Sequence, residues 1–175
     1  MTTVHTLASG SSGNAAVLSC GDTHLLLDAG ISCRRITTAL NALGLSPELL
    51  SAILITHTHS DHISGLRTLL KKTDCPILAT PRTCRELCCR FEGIDGRLME
   101  LEAPVQMGEV GITPVITSHD APGSCGWRLD TGDGSVGFLT DTGYVTEEAA
   151  DLLPGVDLAI LEANHDVEAL RSGPY

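Results

Sequence analysis

The chain has 175 residues, which suits one domain around one substantial core. With 42% hydrophobic and 19% charged residues, it excludes an intrinsically disordered chain. A net charge of −11 and a pI near 4.9 argue against broad electrostatic capture of nucleic acid. A phosphodiester substrate stays open, because bound divalent ions reverse a local field.

Aromatics at 3% leave little for base-stacking platforms. No apolar run is long enough to span a membrane, and Met1–His5 shows no basic-then-apolar leader. Seven cysteines, odd in number and without paired C-x-x-C spacing, predict free thiols in a reducing cytoplasm.

In chain order, Val4–Ala8 reads as a strand. Ser9-Gly10-Ser11-Ser12-Gly13-Asn14 reads as a tight hairpin near the site rather than a nucleotide cradle, since no P-loop lysine follows. Ala15–Cys20 and His24–Leu27 form two strands turned at Gly21-Asp22, and Asp28 is expected to hold loop backbone rather than metal. Ser32 caps a helix running to about Leu43, ended by Gly44, and Ser46-Pro47-Glu48 starts a short helical turn.

The apolar run Ala52–Ile55 is a buried strand, followed by a helix over Ile63–Lys72, a strand over Pro76–Ala79 and a helix over Pro81–Phe91. Cys84, Cys88 and Cys89 read as buried or half-buried residues of that helix. Arg97–Leu101, Glu109–Gly111, Ile112–Thr117, Gly126–Asp130 and Ser135–Leu139 are strand-like, with a hairpin turn at Thr131–Gly134. Thr146 caps a helix to Leu153, Pro154-Gly155 stops it, and Leu158–Leu161 is the last strand. The alternation predicts a layered α/β (α+β) domain over residues 1–175, with no linker.

The chemistry concentrates after Ala52–Ile55, where Thr56-His57-Thr58-His59-Ser60-Asp61-His62 brings three imidazoles and a carboxylate to one strand end. That donor set suits Zn²⁺, with Mn²⁺ or Fe²⁺ as competitors. Two further strand ends carry ligand types, Ser118-His119-Asp120 and Asp141-Thr142-Gly143. His57, His59 and His119 could hold one ion, and Asp61 and His62 a second, with Asp141 bridging. Such a pair, about 3.5–4 Å apart, would deprotonate a bridging water.

The run His57-x-His59-x-Asp61-His62, then His119, then Asp141, with Asp28-Ala29-Gly30 before them, resembles the metallo-β-lactamase fold hydrolases. Ser9–Asn14, Ser118–Ala121, Thr140–Tyr144 and Glu162-Ala163-Asn164-His165-Asp166 look more narrowly like the bacterial YycJ (WalJ) branch, similar to ribonuclease Z. The resemblance implies a four-layer αββα sandwich, two divalent ions (zinc or manganese) and phosphodiester hydrolysis. The branch is implicated in 5′-to-3′ exonuclease activity on DNA, linked to repair, so DNA is expected in preference to RNA.

Asp61 is the expected catalytic carboxylate, orienting or deprotonating a metal-bridging hydroxide. Glu162, Asn164 and His165 are expected to support the site or a substrate loop, Glu162 by hydrogen bonding to a ligand imidazole. Members of the family continue past a Gly-Pro-Tyr like Gly173-Pro174-Tyr175 to a late histidine, so the chain is expected to lack its C-terminal part and its second metal position a ligand. Two alternatives stand beside this reading. A thiolester or lactam hydrolase of glyoxalase II type is disfavoured by the run Ser118-His119-Asp120-Ala121-Pro122, and an inactive metal-binding fragment is the other.

Overall fold

The computed structural model describes residues 1–161. Among these residues, eleven strands form two sheets. The first holds β1 (Thr2–Ala8), β2 (Ala15–Cys20), β3 (Thr23–Leu27), β4 (Ala52–Leu54), β5 (Ile77–Ala79) and β6 (Leu98–Glu100), side by side in chain order. Its first three strands are antiparallel, and β3 to β6 run parallel. The second sheet holds β7 (Val105–Met107), β8 (Val110–Ile116), β9 (Cys125–Thr131), β10 (Gly134–Leu139) and β11 (Leu158–Leu161), antiparallel except for the β10–β11 pair.

Side-chain alternation explains the layers. Val17, Leu26, Ile53 and Ile77 point from the first sheet to α1 (Cys33–Ala42), α3 (Leu66–Leu69) and α4 (Pro81–Arg90), meeting Ile36, Leu40, Leu66 and Leu87. Their neighbours Leu18, Leu25, Leu54 and Leu78 point the other way, onto Ile112, Trp127, Leu129 and Phe138 of the second sheet. Each such side chain, taken wholly out of water, contributes about 1.5–3 kcal/mol. The far face of the second sheet takes α5 (Glu147–Leu152), through Ala149 against Val115 and Leu139. The result is an αββα sandwich, as the resemblance implied. The predicted caps are present: Ser32 and Thr146 side chains accept from the amides of Arg35 and Ala149.

Several boundaries differ from expectation. The helix over Ile63–Lys72 is two short pieces, α2 (Ser60–Ile63) and α3. The Gly65 amide donates to Ala29 O (2.8 Å) and the Ser64 hydroxyl to Gly30 O (2.6 Å), so the neighbouring loop takes donors that a continuous helix would use. Because α2 starts at Ser60, Asp61 and His62 stand on a helical turn rather than in a loop. Glu109–Gly111 and Ile112–Thr117 are one strand, β8, and β7 pairs with it through a turn at Gly108. Cys84 is buried and Cys88 half-buried as expected, but Cys89 is exposed, on the outer face of α4. Glu162, Asn164 and His165 lie outside the described residues.

Candidate metal centre

The site forms where strands of both sheets end. Asp28 follows β3, Thr56 to His59 follow β4, His119 follows β8 and Asp141 follows β10. Asp28 (φ 58°) and Asp141 (φ 52°) are the two non-glycine residues in the left-handed region among the described residues. Aspartate tolerates that region at about 1 kcal/mol, and such backbone gathers where a side chain must be aimed. Gly30 permits the closest approach. A Cβ there would lie 1.5 Å from Asp61 O, so only glycine lets the loop after β3 lie on the start of α2.

Four imidazoles crowd together, with the His57 ring centroid 4.7, 4.1 and 4.6 Å from those of His59, His62 and His119. Among the described residues two ligand groups emerge: His57, His59 and His119, and His57, His62 and Asp141, each with donor atoms within 4.8 Å of one another. His119 Nε2 and His59 Nδ1 face each other at 3.1 Å. Two imidazoles on one tetrahedral zinc, at about 2.0–2.1 Å each, bring their nitrogens about as close. His57 Nε2 is buried with no hydrogen-bond partner among the described residues. An orphaned imidazole nitrogen aimed at other donors fits an ion.

The network behind the candidate ligands sets their tautomers. Asp28, wholly buried, lies 2.8 Å from His62 Nδ1 and accepts from the Thr56 amide (2.9 Å) and hydroxyl (2.9 Å). Because Thr56 Oγ1 donates to Asp28, it can accept from His57 Nδ1 at 3.0 Å. Both Nδ1 atoms then carry protons, which leaves both Nε2 atoms as the ring positions turned to the site. Asp28 thus holds loop backbone, as expected from the sequence, and orients two imidazoles besides.

Burial lowers the His62 pKa, but the charge of Asp28 and the carboxylate of Asp141, 3.0 Å from Nε2, outweigh it and raise it to about 10. Burial and the neighbouring His62 push His57 down to about 3. Burial lifts Asp141, yet its contact with His62 wins and lowers it to about 2. A proton on His62 therefore sits between carboxylates, where a cation would compete for the same lone pair. Asn14 Nδ2, 3.0 Å from Nε2, opposes that proton.

Asp61 stands apart from both ligand groups, its Oδ2 being 3.5 Å from His62 Nε2 and 3.3 Å from Asn14 Nδ2. Asn14, Thr56 and Asp120 were not among the residues expected from the sequence. Asp120 is exposed and lies 3.3 Å from His119 Nδ1 and 3.7 Å from His59 Nε2. The turn-forming run that ends at Asn14 was the one available signal for that residue.

Comparison with known proteins matches residues 23–172 to a family described as a beta-lactamase superfamily domain. An exodeoxyribonuclease, WalJ, of Streptococcus pneumoniae serotype 2 (strain D39 / NCTC 7466) is 39% identical over 174 residues, 97% of this chain and 65% of the relative. An exodeoxyribonuclease, YycJ, of Bacillus anthracis is 33% identical over 172 residues, again 97% and 65%. The chain thus spans 65% of the length of these curated relatives. A metallo-β-lactamase of Cronobacter sakazakii superposes with a TM-score of 0.70 at 17% identity, over 89% of this chain and 69% of that one. That likeness is one of fold.

Proposed function

The chain belongs to the beta-lactamase superfamily, and from that premise we propose that its centre hydrolyses phosphodiester bonds of DNA, stepwise from a 5′ end. The observation that carries the proposal is the pair of ligand groups sharing His57, whose buried Nε2 lacks a partner among the described residues. The names of the relatives, exodeoxyribonucleases at 39% and 33% identity, support the substrate class.

His57, His59 and His119 would hold one divalent ion, and His62 and Asp141 a second, with Asp61 beside His62, zinc or manganese in either place. When bound, such ions lower the pKa of water and stabilise charge developing on phosphate oxygens. Asp61 would orient the attacking water and take its proton, and the Asn14 amide, 3.3 Å from its carboxylate, supports that role. Asp28 and Thr56 keep the imidazoles in the binding tautomer. The free thiols of all seven cysteines fit work in a reducing cytoplasm.

Elemental analysis of bound metal, followed by assays on 5′-labelled DNA and RNA with added Mn²⁺ or Zn²⁺, tests this reading. Metal-dependent release of 5′ nucleotides from DNA, lost in Asp61→Ala, is expected. Turnover of S-lactoylglutathione without nuclease activity would sink the reading.

A further inference from the structure

Resting on that reading of the centre, we propose that the outer face of α4 is the track along which the phosphodiester strand approaches it. Helix α4 touches ligand-bearing loops of both sheets. At its start, Thr80 and Thr83 hydroxyls donate to Gly123 O (2.7 and 3.2 Å), which anchors the loop carrying His119. Gly123 (φ 77°) permits this, since a Cβ there would lie 2.6 Å from Arg82 Cβ. At its end, Arg90 donates to Thr58 O (2.6 Å), between His57 and His59.

Two adjoining hollows follow the outside of the helix. One, of about 310 Å³, is lined by His119, Asp120 and Arg82 among others. The other, of about 650 Å³, is lined by Arg82, Arg85, Glu86, Cys89, Arg90 and Pro122. Arg82 and Pro122 belong to both, so the groove is continuous from the ligand loop outward.

The lining has the chemistry of a polyanion site. Arg82, Arg85 and Cys89 recur at helical spacing on the solvent side of α4, while Thr83, Cys84 and Leu87 face the core. Arg82 and Arg85 are exposed and make no ion pair or hydrogen bond among the described residues. Glu86 is engaged by the Thr58 hydroxyl and lies 3.9 Å from Arg90, so the groove's carboxylate is partly neutralised. On a chain of net charge −11, such a strip beside the centre concentrates the attraction for phosphates where cleavage would occur. Asp120 at the mouth repels phosphate, so the arginines rather than the ligand loop supply the attraction.

Fluorescence anisotropy of a 5′-fluorescein single-stranded DNA oligonucleotide across a salt series tests the track, with nucleotide release followed in parallel. Arg82→Ala with Arg85→Ala should weaken binding on the order of tenfold or more, and make the salt dependence shallower by about 1.4 in log–log slope. Arg82→Lys with Arg85→Lys should restore most of the affinity, and the exposed α1 pair Arg34→Ala with Arg35→Ala should leave it unchanged. DNA should also slow alkylation of Cys89, the one exposed cysteine.

Equal losses in the α1 and α4 alanine pairs, or none in the α4 pair while DNA is still cleaved, would overturn the track and leave the nuclease reading standing. Arginine-dependent binding without any hydrolysis would uphold the track and overturn the nuclease reading. No binding by the unaltered chain would overturn the track whatever the hydrolysis result.

Discussion

Asp28 Oδ2 lies 2.8 Å from His62 Nδ1, and both side chains are wholly removed from solvent. A carboxylate behind an imidazole does two things at once. It selects the tautomer that turns Nε2 to the site, and it satisfies a buried N–H. Through the Thr56 hydroxyl the same carboxylate also reaches His57, so one residue in the left-handed region orients donors from both ligand groups.

Asp28→Ala should therefore damage stability and metal binding together. Leaving His62 and Thr56 without their acceptor should cost about 3–5 kcal/mol, the penalty for breaking a buried charged pair. Metal affinity should fall about 10- to 100-fold. Urea unfolding and metal titration measure the two effects. A variant with unchanged affinity would remove Asp28 from the role assigned to it.

The metal-free chain should be most stable near pH 6.5. His62 rises from 6.5 to about 10 on folding, so its contribution is complete below pH 6.5 and is lost as pH climbs through 10. His57 falls from 6.5 to about 3, and its contribution is lost as pH drops through 3. Asp141 falls from 3.8 to about 2 and adds to the acid loss below pH 3.8. Urea midpoints in EDTA at about pH 5, 6.5 and 9 should peak at the middle value. Steadily increasing stability toward pH 9 would contradict the charge on His62.

Metal binding should release protons. Neutral Nε2 of His62 is needed as a donor, and below pH 10 that atom carries a proton in the metal-free chain. Apparent affinity should accordingly climb between about pH 6.5 and 9. Calorimetric titration in buffers of different ionisation enthalpy measures the proton count, and a count of zero would refute the prediction.

Thr58→Val should loosen the segment between His57 and His59. The Thr58 hydroxyl donates to Glu86, and removing it leaves a half-buried carboxylate short of a donor. A loss of about 1–2 kcal/mol is expected for a hydrogen bond to a charged group. Glu86→Gln, which keeps an acceptor, should lose less. Thermal melts of the two variants give the order, and the reverse order would argue against the latch.

Gly30→Ala and Gly44→Ala should differ sharply. At Gly30 the new Cβ would meet Asp61 O at 1.5 Å, so backbone must move, and a loss above about 3 kcal/mol is expected. Gly44 (φ 76°) has nothing within 4 Å, so its substitution should cost only about 1 kcal/mol. Comparable denaturation midpoints for the two would show that the loop after β3 can back away from α2.

Much of this is legible in the amino-acid sequence. Short apolar runs bounded by turn residues mark most of the strands, and Ser32 and Thr146 announce their helices, because runs and caps are local. What misled was also local. Ile63–Lys72 has good helical spacing, yet the Gly65 amide is claimed by Ala29 O, a partner 36 residues back in the chain. The exposure of Cys89 depended on which side of α4 met the sheet, and neighbouring cysteines left that open.

The sequence by itself determined the donor types, because His57, His59, Asp61 and His62 lie within six residues at a strand end, and no packing is needed to bring them near one another. Only the tertiary structure decided which donors share a position. His57 meets His119 in one group and Asp141 in the other, across 62 and 84 residues of chain, because strands of two sheets end at one edge. It also decided that Asp28, Thr56 and Asn14 stand behind the candidate ligands. Hydrogen bonds of that kind follow distance and direction in space, and spacing along the chain carries neither.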